Sequence, residues 1–158
     1  MVPVESNKNF SVNNVLSFRK KITQDQANEE MKKIAKFLES QDIKQSGPVI
    51  TATFDVDTDN GDPLMDMEIL IPMDRKIDLP EDYRFKEIFH IAHAVCAKHS
   101  GAPSSLHSTY TDLFTYLKNN NLQPITAVYN AYVKGLSSGS PEDDMNIDVY
   151  IGVNPSTL

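Results

Sequence analysis

The sequence predicts an α+β fold: two strand-helix-strand-strand repeats forming an antiparallel sheet, with the helices on one face and a groove between the repeats. Three observations predict it. Two segments of helical periodicity are each followed by a proline and then by a pair of β-rich runs. The same order recurs in both halves, and Pro48-Val49-Ile50-Thr51-Ala52 is answered by Pro124-Ile125-Thr126-Ala127. A length of 158 residues, 40% of them hydrophobic and 23% charged, suits one domain with its own core.

Residues 1–12 have no apolar period and are expected as a flexible arm, leaving a single domain at 13–158. Val15, Leu16, Phe18 and Ile22 make a first strand that starts near Asn14 and ends at Thr23. Thr23-Gln24-Asp25-Gln26 has the form of a capping box, with hydroxyl and carboxamide each serving the other residue's backbone amide. Ala27, Met31, Ile34, Ala35 and Leu38 then recur at helical spacing, which predicts a helix over about 24–41. Gly47-Pro48 stops it, and VITATFDVD and MDMEILIPM, joined by a turn at Asp59-Asn60-Gly61-Asp62, predict a hairpin. That closes repeat one, about 14–73.

After the charged connection from Asp74 to Asp82, Tyr83 to Lys98 predicts a long strand with a candidate break at His90, opening repeat two over about 83–153. Ser104 or Ser105 is placed to cap a helix carrying Leu106, Tyr110, Leu113, Phe114 and Leu117, ended by Asn119-Asn120-Asn121. ITAVYNAYV, a flexible SSGSPEDD loop and MNIDVYIGV predict a second hairpin.

A net charge of -7 and a pI near 5.0 repel phosphate backbones and anionic lipid, and no basic run offsets them, so neither nucleic acid nor membrane is expected as a partner. Cys96 is the one cysteine and cannot form an intrachain disulfide, which fits a reducing cytoplasm. The first residues lack the apolar core of a signal peptide, and no apolar run reaches membrane-spanning length.

No motif calls for a metal or another cofactor. Asp55-Val56-Asp57-Thr58-Asp59-Asn60-Gly61 begins like a calcium loop, but the sixth position is Asn60 rather than glycine and the twelfth is Asp66 rather than glutamate. His90 and His93, three apart on a strand, project from opposite faces and cannot share a zinc ion. The same parity separates Cys96 from His99, so a Cys-His nucleophile is not expected. The six glycines form no phosphate-binding loop. On the strand after Pro124, Ile125, Ala127, Tyr129, Ala131 and Val133 share one face, which either packs beneath the helices or lines the groove.

The arrangement, with AVCAKHSG before the second helix, DLFTYLKNNNLQP through its end, and ITAVYNAYV and DDMNIDVYIGV as closing strands, resembles the GyrI-like (SOUL/GyrI, tandem SHS2) effector-binding superfamily over about 14–153. The resemblance implies a sensor or drug-binding fold for bulky hydrophobic, often cationic compounds, with occasional hydrolases among its members. It is closest in form to stand-alone members of Gram-positive bacteria, some encoded beside toxins of the type VII secretion pathway. In the family a glutamate commonly stands two residues before a tyrosine on the strand after the second helix; here these positions are Ala127 and Tyr129. A carboxylate about 4 Å from a cation contributes on the order of 4 kcal/mol at an effective dielectric of 20, against about 0.5–2 kcal/mol for an aromatic face. Glu68, Glu87 and Asp148 are candidates to supply the missing charge.

The resemblance turns Phe54 and Tyr129 toward the groove, and the ligand-binding candidates are Phe54, Glu68, Phe89, Ala127, Tyr129 and Tyr150. The expected function is a stand-alone, non-catalytic binding domain for a hydrophobic or aromatic small molecule. The alternative is an acidic protein-interaction module, an adaptor or immunity-like partner of a basic protein, or a gyrase-inhibitor-like protein.

Overall fold

The computed structural model describes residues 2–58, 61–134 and 145–156. Along them run β1 (Val4–Ile22), α1 (Gln24–Ser40), β2 (Val49–Asp57), β3 (Leu64–Pro72), β4 (Arg84–Ser100), α2 (Leu106–Asn119), β5 (Pro124–Lys134) and β6 (Asn146–Val153), an α+β chain with antiparallel pairing. The SSGSPEDD loop and the Asp59-Asn60 half of the first hairpin turn lie outside the described residues. None of the helices among the described residues is long and apolar enough to cross a membrane.

Two compact units are present. The α1 unit comprises Val12–Gly47 and Thr51–Phe89; the α2 unit comprises Met1–Ser11, Pro48–Ile50 and His90–Leu158. Strands β1 and β4 each contribute residues to both units.

In the α1 unit β3 lies between β1 and β2. The register pairs Phe18 with Ile69 and Leu16 with Ile71 on one face, and Ser17 with Leu70, Arg19 with Glu68 and Lys21 with Asp66 on the other. Leu16, Phe18, Ile22, Met67, Ile69 and Ile71 are buried on the first face, and α1 buries Ala27, Ile34 and Leu38. Tyr83 links helix and sheet: its ring lies 6.0 Å from Phe18 and 6.1 Å from Phe37, and its hydroxyl donates to Glu30 Oε1 at 2.8 Å. The capping box forms as expected, with Gln26 N donating to Thr23 Oγ1 at 3.3 Å and Thr23 N to Gln26 Oε1 at 2.9 Å.

In the α2 unit β6 lies between β5 and β4. Val95, Ala97, Ile147, Val149 and Ile151 form one core with Leu106, Leu113 and Leu117 of α2. Expected as a cap, Ser105 precedes α2 without capping it: its hydroxyl donates to Ala102 O at 2.8 Å, because a 3-10 turn at Pro103–Ser105 feeds the helix directly.

Both helices close in the same way. Asp42 (φ 55°) and Asn121 (φ 54°) take left-handed conformations, and the next amides reach back, Ile43 N to Leu38 O and Leu122 N to Leu117 O, each at 2.9 Å.

β1 begins at Val4, well before the start expected near Asn14. Its early residues are held by partners distant in sequence: Lys98 N donates to Pro3 O at 3.0 Å, and the ring of Phe10 stacks on Tyr150 at 4.5 Å. β4 is continuous through His90, the candidate break, and the boundary between the units falls there.

Candidate functional site

The β5–β6 ladder sets Tyr129 directly opposite Tyr150, and the β4–β6 ladder sets Cys96 opposite the same tyrosine. The neighbouring pairs, Val128 with Ile151 and Tyr132 with Ile147, pack toward α2, where the Tyr110 hydroxyl also donates to Asn130 Oδ1 at 2.8 Å. Tyr129 and Tyr150 therefore occupy the face turned away from α2. Both are half-buried. Of the two readings left open for this strand face, the one in which it packs beneath the helix is excluded.

A bulge decides the fate of the preceding residues. The register shifts between Pro124 and Val128, and the Thr126 side chain comes across to the Tyr150 face, where its Oγ1 accepts from Gly152 N at 2.8 Å. Ala127, half-buried, lies within that shift.

Asp148 stands opposite Ala131, diagonal to Tyr129 on the same face, and takes Lys98 Nζ at 3.4 Å. Burial, reinforced by the charge of Asp148, pushes the Cys96 thiol up to about 11, so it is protonated at neutral pH. Burial likewise raises the Tyr150 phenol. His99 lies on the opposite face from Cys96, opposite Ile147. Its Nε2–H donates to Ala102 O at 3.0 Å, and its Nδ1 is hydrogen-bonded to the Thr109 hydroxyl at 2.7 Å. Cys96 and His99 thus cannot act together, and native Cys96 should react with iodoacetamide at least about a hundredfold more slowly than in urea. Equal rates, read by mass spectrometry, would show an accessible thiolate.

Phe54, Glu68 and Phe89 belong to the α1 unit. The Arg19 guanidinium covers the Phe54 ring, 3.9 Å from its centroid, while making two hydrogen bonds to Asp66 at 3.0 and 3.1 Å. Those bonds hold the Asp66 carboxyl below the usual carboxylate range. Glu68, 6% exposed, accepts on Oε2 from Ser17 Oγ at 2.7 Å and from Lys86 Nζ at 2.8 Å. Phe89 is half-buried on β4, and Glu87 is exposed. Sequence reasoning missed Lys86 and Ser17: nothing in their spacing announces a shared acid.

Compared with solved structures, the chain superposes on the EcmrR C-terminal domain with a TM-score of 0.80 at 14% identity, covering 99% of both chains. The fold is the GyrI-like one. Against the EcmrR–DNA complex the score is 0.77 at 14% identity; the match covers 97% of this chain and spans 58% of the EcmrR chain. The GyrI-like fold recurs in an uncharacterised conserved protein from Listeria innocua, with a TM-score of 0.64, 12% identity, and coverage of 94% and 93%. It recurs again in a hydrolase from Listeria innocua, with a TM-score of 0.59, 14% identity, and coverage of 94% and 92%. No family profile and no curated protein matches the sequence. Among the described residues, no group of three or more His, Cys, Asp or Glu side chains converges as a metal site.

Proposed function

We propose that the chain is a non-catalytic binding domain for a hydrophobic or aromatic small molecule, taken up against Tyr129 and Tyr150 on the sheet face turned away from α2. One observation carries this reading: two directly paired tyrosines stay half-buried on a face that the helix does not use. Phe10, stacked on Tyr150 at 4.5 Å, exemplifies the flat ring such a face accepts. Asp148 supplies an acid diagonal to Tyr129, so a cationic aromatic compound is accommodated once Lys98 gives way. Within the α1 unit taken by itself, Phe54 and Phe89 are proposed as aromatic contacts, and Glu68 as a contact of a ligand distinct from the one at Tyr129 and Tyr150. The order β-α-β-β, found twice, supports reading the two halves as repeats of one unit.

A thermal-shift panel of neutral and cationic aromatic dyes tests the reading. A ligand at a hundred times its Kd adds about 2.7 kcal/mol, and Tyr129→Ala should weaken that ligand by about tenfold. If no dye raises Tm while a protein co-purifies in stoichiometric amount, the acidic interaction module replaces this reading.

A further inference from the structure

We infer that the α1 unit holds a separate site for a small amphoteric ligand, one carrying both an ammonium-like donor and a carboxylate-like acceptor, in the pocket bounded by Glu68, Arg84 and Lys86. The pocket encloses about 350 Å³ and is lined by three acids, Glu68, Glu81 and Asp82, and three bases, Arg19, Arg84 and Lys86.

Glu68 is the built part of the site. Its side chain is only 7% exposed, yet both of its hydrogen bonds, from Ser17 and Lys86, fall on Oε2. Oε1 accepts no hydrogen bond from any described residue, and no side-chain oxygen among them is both sealed from solvent and unpartnered, so Oε1 is not sealed, and Glu68 lines the pocket. An enclosed carboxylate with one oxygen fixed and the other open is set to receive a donor.

The opposite charge is present beside it. Arg84, exposed, forms no hydrogen bond or ion pair with the described residues, whereas Arg19 is engaged by Asp66 and the Phe54 ring. A simple cation at Oε1 would meet the Lys86 ammonium already held on the same carboxylate, and a simple anion at Arg84 would meet Glu81 and Asp82. A ligand bearing both charges satisfies each group and adds no net charge to a balanced lining.

Calorimetric titration of the full chain with glycine, 3-aminopropionate, 4-aminobutyrate and 6-aminohexanoate scans the charge separation. One length should bind saturably and best, and its N-acetyl and methyl-amide forms should each bind at least about tenfold more weakly. Glu68→Gln should lose about tenfold in affinity, as should Arg84→Gln, whose side chain is exposed and unpaired among the described residues. The inference is overturned if no length saturates at millimolar concentration, if either blocked form binds as well as its parent, or if Arg84→Gln binds unchanged. Because the dye panel reads Tyr129 and Tyr150 of the α2 unit and this titration reads Glu68 and Arg84 of the α1 unit, failure here and failure of the aromatic site are distinguishable.

Discussion

Replacing Lys86 with methionine is expected to lower the unfolding free energy by about 3 kcal/mol, the low end of the cost of leaving a buried charge without its partner. Glu68 is 6% exposed, and its Oε2 is stabilised by a hydroxyl at 2.7 Å and an ammonium at 2.8 Å. Methionine keeps the aliphatic packing and removes the positive charge, so the carboxylate keeps only Ser17. The low end applies because Oε1 is not sealed from solvent and the Lys86 side chain is itself 37% exposed. Neutralising the acid removes the cause: in the Lys86→Met, Glu68→Gln pair, about 1.5–2 kcal/mol should return as coupling. Urea unfolding of the four proteins measures it, and for a chain of this size the single change corresponds to a fall in Tm of about 6–12 °C. A loss within about 0.5 kcal/mol would mean that the carboxylate is hydrated well enough to do without its lysine. The Arg19–Asp66 pair, with side chains 51% and 23% exposed, is the comparison: despite two hydrogen bonds its removal should cost about 1 kcal/mol or less.

Features set by near neighbours in sequence were legible before the structure. The Thr23 and Gln26 side chains satisfy each other's backbone amides within one turn, so four letters suffice to place the helix start. Strand parity likewise separated Cys96 from His99 and grouped Tyr129 with Ala131. The helix ends were legible too, at about 41 and at Asn119-Asn120-Asn121, even though it is Asp42 and Asn121 that take the left-handed conformation glycine usually marks.

What depended on distant partners was not legible. Val4 to Ser11 carry too little apolar alternation to declare a strand, and their order comes from groups about ninety residues or more away, such as Lys98 bonding Pro3 and Tyr150 stacking on Phe10. The candidate site shows the same division. That Ala127 and Tyr129 alternate could be read, but not that a bulge after Pro124 brings Thr126 onto the Tyr150 face. Glu68 could be named as an acid, but not that Lys86, on the next strand beyond a charged loop, neutralises half of it. Packing side and charge partner are tertiary properties, and a period of two carries neither.

The bulge supplies the other large effect, at Gly152. A Cβ at this position would lie 2.7 Å from Thr126 Cγ2 and 3.2 Å from Ile91 Cγ2, while Gly152 N donates to Thr126 Oγ1 at 2.8 Å. The threonine methyl fills the space where a side chain would stand, on a strand paired on both sides, so neither β4 nor β5 can withdraw without losing ladder bonds. Gly152→Val should therefore cost about 3 kcal/mol or more through overpacking, and Gly152→Ala about 1–3 kcal/mol. The cause separates from any general intolerance of the position by removing the opposing methyl. Thr126→Ser keeps the hydroxyl that receives Gly152 N and deletes Cγ2, so the Gly152→Ala, Thr126→Ser protein should regain at least about 1 kcal/mol over Gly152→Ala alone. If Thr126→Ser gives no recovery, the clash lies with Ile91 or the ladder itself, and the bulge at Thr126 is not what requires glycine. Far from the tyrosine pair in chemistry but adjacent to it on β6, the same substitution should also shift Tyr150, so dye binding at Tyr129 and Tyr150 should weaken in Gly152→Ala and recover together with stability in the double variant.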